Sequence, residues 1–383
     1  MVYDLEGFLY PKVDTKSCNQ CDRCNEVCPI ASGNLFKDIS IEREVYACQA
    51  ISVELLIEAT AGGLFPVLSE WILSQGGVVI GAAYDSNMKV SHIAAHTMND
   101  IKRFNGSKYV QSDITSAIGL VRNYLENGKV VLFSGTPCQI DAVKRFCCEV
   151  KTGTLYTMDV VCYGIPSPKM FRDFLDIVEE KCKKKVTDFR FRDKHKNGWS
   201  HTTVIQLKDE DGLTEYLEEE DYTKVPYYKM FGYRDCFRKS CYRCQYNTLN
   251  RISDITTGNF WGIETISKAF NCKLGVSMAI LNTEQGKKLF QKIQGELISE
   301  AHSIEDAIRA NEALIRGSKE TKRRDAIYRY YINYGFKKMY IKFYSHDWSR
   351  ALRIQLSKIK QRIVKILRGG ETCNFQAIYA PDL

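Results

Sequence analysis

Between Lys129 and Glu179 the chain writes one plan twice, and few folds accommodate it. Val130-Val131-Leu132-Phe133 is an apolar run of β-formers that breaks into Ser134-Gly135-Thr136-Pro137. Ile140, Val143, Lys144 and Phe146 then follow a helical period. The second copy reads Leu155 to Val161 as strand, Cys162-Tyr163-Gly164-Ile165-Pro166-Ser167-Pro168 as break, and Met170 to Glu179 as helix. Strand, Gly/Pro turn and helix in succession specify an α/β fold, and each unit places one cysteine just past the carboxyl end of a strand. In open α/β sheets that is where cofactors bind.

Length and cysteine content narrow the class. A chain of 383 residues that is 44% hydrophobic can bury several cores. No apolar run approaches the roughly 20 residues of a spanning helix, and acidic residues and Pro11 interrupt any leader-like core at the start. The expectation is a cytoplasmic protein. Fifteen cysteines, an odd number, then point to metal or redox chemistry rather than disulfides.

The sharpest local motif is Cys18-Asn19-Gln20-Cys21-Asp22-Arg23-Cys24-Asn25-Glu26-Val27-Cys28-Pro29. Three cysteines at steps of three, followed by Cys-Pro, wrap a loop so that sulfurs converge on an iron–sulfur cubane. Soft thiolates favour that centre over hard metals, with a zinc knuckle as the competing reading. In two-cluster ferredoxins the fourth cysteine serves the other cluster, yet no second run stands here. Cys28 or Cys48 completes the set, or a partner run is missing from the chain.

Weaker signals lie between the two motifs. Thr60-Ala61-Gly62-Gly63 can bring backbone amides close to a phosphate or a ring, or can be an ordinary turn. Gly106-Ser107-Lys108-Tyr109-Val110-Gln111 suits a phosphate or flavin contact, as polar loops often do. Gly77 to Asp85 and Val90 to His96 read as strands, which makes His92 and His96 strand residues before ligands. Phe189 to Lys194 alternates aromatic and charged residues, with His201 to Leu207 as its expected partner. No wider basic face accompanies it, which argues against nucleic acid.

A second cysteine set follows at Cys236-Phe237-Arg238-Lys239-Ser240-Cys241-Tyr242-Arg243-Cys244. One Cys-x-x-Cys needs two further ligands for zinc or iron–sulfur alike. Cys138 and Cys162 can supply them, or can be small buried hydrophobes. Beyond it, Ser253 to Ile263 enters an aromatic, glycine-bracketed loop in which Trp261 covers a flavin ring or caps a core.

In this order the motifs resemble one family. Cys-x-x-Cys-x-x-Cys-x-x-x-Cys-Pro, Gly62-Gly63, Gly106-Ser107-Lys108-Tyr109-Val110-Gln111, Ser134-Gly135-Thr136-Pro137-Cys138-Gln139, Cys162-Tyr163-Gly164-Ile165-Pro166, Phe191-Arg192-Asp193-Lys194, Ser240-Cys241-Tyr242-Arg243-Cys244 and Phe260-Trp261-Gly262 are similar to the coenzyme F-420 hydrogenase/dehydrogenase beta-subunit family in its bacterial ferredoxin-fused form. The resemblance implies FAD and a core [4Fe–4S] cluster held by Cys138, Cys162, Cys241 and Cys244, with Cys236 as bystander or reserve. A second cluster is expected at Cys18, Cys21 and Cys24, with Cys28 or an external ligand as the fourth. FAD contacts would come from Gly62, Gly63, Ser107, Lys108, Gln111, Ser134, Gly135, Thr136 and Trp261. Two departures stand out. The chain begins at a linker, Met1 to Pro11, that in relatives follows a first ferredoxin run, so Met1 is expected to be internal or a miscalled start. Ala59-Thr60-Ala61 also replaces the serine-rich approach to Gly62-Gly63.

The tail differs in charge. From Ser318 to Gly370 stand 15 Lys and Arg against Glu320, Asp325 and Asp347, whereas the whole chain carries only +8. Ser303-Ile304-Glu305-Asp306 is a capping-box-like helix start. Arg350 to Arg368 spaces Leu352, Leu356, Ile359, Ile363 and Ile366 as an amphipathic basic helix, suited to a membrane surface, an acidic partner or its own domain.

The sequence thus predicts a mixed α/β flavin domain after a ferredoxin-like [4Fe–4S] segment, and a helical basic tail. The expected boundaries are 1–47 for the ferredoxin-like segment, 48–128 and 129–300 for the two parts of the flavin domain, and 301–383 for the tail. Function reads as an iron–sulfur flavin-dependent oxidoreductase, with ferredoxin or another redox subunit as partner and a deazaflavin-like or other small redox substrate. A non-catalytic iron–sulfur relay subunit is the alternative, and a zinc-bound nucleic-acid module a third.

Overall fold

The strands form where β-branched and apolar residues run between glycine and proline breaks. A computed structural model describes residues 1–31 and 42–355, the last ten of them as helix without side chains. In chain order the strands are β1 Val2–Tyr3, β2 Leu9–Tyr10, β3 Glu44–Ala50, β4 Val78–Tyr84, β5 Val90–Ala95, β6 Val130–Gly135 and β7 Thr154–Val160. There follow β8 Lys185–Arg190, β9 Thr203–Lys208, β10 Thr214–Glu219, β11 Ile255–Asn259, β12 Ser277–Leu281 and β13 Leu297–His302. Eight of these make one sheet in the order β13-β3-β12-β11-β7-β6-β4-β5. Its centre, β11-β7-β6-β4, is parallel, and both flanks are antiparallel.

Parallel strands are covered on both faces, which is why they read as continuous apolar runs. On one face the helices Leu64–Ser74 and Glu284–Ile293 bury Leu64, Leu68, Ile72, Leu289 and Phe290. On the other, Thr115–Glu126 and Pro137–Phe146 bury Val121, Leu125, Ile140 and Val143. A separate antiparallel sheet, β10-β9-β8, packs an aromatic core against the helices Pro168–Cys182 and Arg324–Gln355. That core joins Phe171, Phe174, Phe189, Tyr227, Tyr328 and Tyr344.

Several expectations need correction. β3 runs across the boundary expected at 47/48 and lies inside the large sheet between β13 and β12, so the first segment hands directly into the main fold. The edge strand β13 crosses the boundary expected at 300/301; the helix Ile304–Ala310 follows, with the anticipated Ser303/Asp306 capping box. Edge pairing to β3 decides that strand, and its local periodicity gave no sign of it. β8 begins at Lys185 and ends at Arg190, leaving Arg192 and Lys194 in the loop beyond it. The helix Arg324–Gln355 breaks helical geometry at Gly335, where φ is 76°. The basic stretch Arg350–Arg368 lies outside the residues whose side chains are described. Among the described residues no helix is long and apolar enough to cross a membrane.

The N-terminal segment is tied to the body by buried polar contacts. Gln111 binds the backbone of Leu9 in both directions, at 2.8 and 3.0 Å. Fully buried Arg324 pairs with Glu6 at 2.5 Å and donates to the Phe237 carbonyl at 2.9 Å. Removing one partner of such a buried pair leaves an uncompensated charge.

Candidate functional site

At the carboxyl ends of the parallel strands the turns fall away from the sheet, and two cavities open there. Thr136 starts the Pro137–Phe146 helix: its N–H donates to Gln139 Oε1 at 2.9 Å, while Gln139 Nε2 donates to Ser112 Oγ at 2.8 Å. This cap places Cys138 at the second position of the helix, its sulfur 3.1 Å from Thr136 Oγ1. β7 delivers Cys162 two residues past its end, and Gly164 then turns at φ 134° with Phe237 packed where a Cβ would stand. A short 3-10 turn, Lys239–Arg243, brings in Cys241 and Cys244.

All four of these cysteines line one cavity of about 80 Å³, together with Arg238 and Arg251. Burial pushes the Cys241 thiol up to about 12, with the neighbouring Cys138 and Cys244 raising it further. Burial also raises the Cys162 thiol, again with Cys241, Cys138 and Cys244 adding to the effect. Cys138 and Cys244 are likewise raised, first by burial, while Arg238 pulls Cys138 down and Arg251 pulls Cys244 down. Four thiols so placed cannot all be thiolates without a compensating positive charge between them. Among the described residues no three His, Cys, Asp or Glu side chains close on a point as ligands of one metal ion do. The sulfurs ring a space instead. That donor set suits a bulky inorganic centre of soft metal.

The larger cavity measures about 740 Å³ and shares Thr136, Cys138, Cys162, Tyr163, Gly164, Ile165 and Arg238 with the small one. Its size lies within the range of cofactor sites. Gly63, Ser107, Lys108, Gln111, Ser134, Gly135, Thr136 and Trp261 all line it. Gly62 does not: it sits against the Cys48 carbonyl, donating its N–H to Ser277 Oγ at 2.9 Å, so its missing side chain serves close packing. Lys108 lines the cavity but donates to the carbonyls of Phe104, Asn105 and Gly106 at 3.3, 2.9 and 3.2 Å, and burial lowers its pKa to about 8.

Sequence reasoning missed three polar groups on this wall. His92 is buried, stacks on Phe133 and places Nε2 at 2.9 Å from the Ser134 carbonyl. Nε2 therefore carries the hydrogen, burial lowers the imidazole to about 4, and Nδ1 has no partner. Arg192 packs over Trp261 at 5.1 Å, donates to Tyr109 Oη at 3.1 Å and leaves Nη1 unpartnered. Asn259, at the end of β11, leaves its Oδ1 unpartnered. The Phe191-Arg192-Asp193-Lys194 block was visible, but its alternation pointed to a strand and not to a cavity wall. Its Lys194 is buried and donates to the carbonyls of Leu56, Ala61 and Leu274, fastening the approach to Gly62-Gly63.

The N-terminal cysteine run lies apart and at the surface. Cys18, Cys21 and Cys24 are exposed and Cys28 is half-buried, around the helix Arg23–Val27. The run is nonetheless beside the small cavity: Gln245, next to Cys244, donates to the Pro29 carbonyl at 3.2 Å. Cys48 is buried in β3, its thiol toward the Ser277 carbonyl at 3.6 Å, and so stands away from the exposed run. Cys236 is fully buried in the aromatic core and lines neither cavity.

Fold and site together define an α/β protein with a cysteine-lined pocket set against a cofactor-sized cavity. Residues 128–307 match the family model for the C terminus of the coenzyme F420 hydrogenase/dehydrogenase beta subunit, so this part of the chain is similar to that family of oxidoreductase subunits. No curated protein sequence matches the chain. Among solved structures it is similar to a chain of the F420-reducing [NiFe] hydrogenase complex from Methanosarcina barkeri, at 19% identity and a TM-score of 0.45, over 77% of this chain and 94% of that one.

Proposed function

We propose that the chain is an iron–sulfur flavoprotein subunit that moves electrons between [4Fe–4S] clusters and FAD, and exchanges hydride with a small deazaflavin-like or related redox substrate. One observation carries this reading: four cysteines drawn from residues 138 to 244 ring a cavity that shares its wall with a second cavity large enough for a flavin. A relay subunit without a substrate pocket has no need of a cavity of about 740 Å³.

Clusters pass single electrons, whereas a flavin stores two and releases them as hydride. The chain's own part is to bind, orient and shield. Cys138, Cys162, Cys241 and Cys244 hold the core cluster, and Cys18, Cys21, Cys24 and Cys28 hold the exposed one. Gly63, Ser134, Gly135 and Thr136 offer backbone and hydroxyl donors to the flavin side of the shared wall. Arg192 and Trp261 form a cationic aromatic shelf across the larger cavity. Neutral His92 keeps a bare Nδ1 at the cavity wall as an acceptor. Exposure of the first run suits docking of a ferredoxin-type or other redox subunit.

The test is anaerobic purification followed by iron, sulfide, zinc and flavin analysis. Brown protein with bound FAD and iron equal to sulfide is expected. Colourless, zinc-containing protein would overturn the assignment.

A further inference from the structure

Arg251 is an anomaly in the wall of the small cavity. It is only 2% exposed, among the largest fully buried side chains of the protein. Among the described residues its one side-chain partner is Asp159, also fully buried, through Nη1 to Oδ2 at 3.3 Å. Among the described residues Nε and Nη2 have no partner, although each is sealed from solvent. Leaving two charge-bearing N–H groups unsatisfied inside a protein costs several kcal/mol by order of magnitude, so such groups need an explanation. Arg251 lines the same cavity as Cys138, Cys162, Cys241 and Cys244, and its charge lowers the Cys244 thiol.

We propose that Arg251 is a positioning residue that sets the potential of the core cluster, donating Nε–H and Nη2–H to its sulfur, with Asp159 as the opposing charge. The inference rests on the cluster assignment made above. The sign follows from electrostatics. Four thiolates around an iron–sulfur core give a net anion, and reduction adds one more negative charge. A buried guanidinium stabilises the reduced form more than the oxidised one and raises the potential. Asp159, at the end of β7, acts the other way and keeps the cation from over-stabilising the reduced state. Neither residue ligates metal.

Redox titration of the anaerobically purified chain, followed by electron paramagnetic resonance, tests this with Arg251→Leu, Arg251→Lys and Asp159→Asn. Arg251→Leu is expected to weaken reduction at least tenfold, about 59 mV downward for one electron. Arg251→Lys keeps the charge but loses the fork, and should fall between it and the wild type. Asp159→Asn should move the potential upward by a similar factor. Opposite signs from the two partners are the signature, since a merely structural role would loosen the site in either variant. A wild type without iron overturns the cluster assignment itself. An iron-loaded wild type whose potential is unmoved in Arg251→Lys and Asp159→Asn, or moves the same way in both, overturns the role of Arg251. Should Arg251→Leu fail to assemble, those two variants still decide the question.

Discussion

The two cysteine sets differ in how the chain brings them together. Cys18 to Cys28 span eleven residues, sit at the surface and owe their proximity to local spacing. Cys138, Cys162, Cys241 and Cys244 come from a helix start, a strand end and a 3-10 turn, and only the sheet topology brings them together. A local set needs little folding to exist and stays accessible to a partner. A dispersed set exists only in the folded protein, here with Cys138 exposed and Cys162, Cys241 and Cys244 half-buried along the cavity they line. In the proposed function the local set would serve exchange with a partner and the dispersed set the chemistry at the cavity.

The largest effects should separate the two sets cleanly. Cys162→Ser should remove the core cluster and lower iron and sulfide by about half, because a cubane needs its four protein ligands. Cys21→Ser should remove the other half while leaving the core signal and flavin content intact. Iron analysis with resonance spectroscopy on both variants is the check. Equal loss of both clusters in Cys21→Ser would mean that the sets are not independent.

Acid should distinguish the regions next, through His92. Its folded pKa is near 4 and its ordinary value is 6.5, chiefly because burial opposes the charge. Between those values the unfolded chain binds the proton and the folded one does not. Stability is therefore fully present above pH 6.5 and is lost as pH falls toward 4, by about 3 kcal/mol at order of magnitude. His92→Phe retains the stack on Phe133 and should flatten that slope. Urea midpoints at pH 7 and pH 4.5 measure it.

A smaller effect is expected at the joint between the cavities. Gly164 holds φ at 134°, with the Phe237 ring occupying the place of a Cβ. Gly164→Ala should destabilise the protein by about 1–3 kcal/mol through backbone strain and contact. Because Gly164 lines both cavities, flavin retention should drop with it, while the exposed run keeps its iron. Thermal unfolding and flavin content after gel filtration would show this.

How much of this was legible depended on whether the signal was local. The strand–turn–helix units at Val130–Phe146 and Thr154–Cys182 and the Cys-x-x-Cys run were visible because periodicity and spacing act over a few residues. β3 and β13 were not, since each becomes a strand by pairing with partners hundreds of residues away in sequence or across the sheet edge. Gly62 and Gly63 read alike as a pair, yet only Gly63 lines the cavity, and nothing local distinguishes them. Arg251 carried no motif at all. Its importance comes from burial beside sulfur, which composition cannot express.

Cys236 offers the smallest and most discriminating test. Its spacing to Cys241 and Cys244 is that of a ligand in a C-x₄-C-x₂-C run. Its surroundings are those of a core residue: the thiol is fully buried, pushed well above its ordinary pKa by burial and by Asp235 beside it, and faces Tyr227 and Tyr328. Spacing argues for a metal and burial argues for packing. If the fold decides, Cys236→Ala leaves iron, sulfide and the resonance spectrum unchanged and costs only about 1 kcal/mol of stability for the small void. If spacing decides, the same substitution removes iron as Cys162→Ser does, and the division between a local and a topological cysteine set no longer holds.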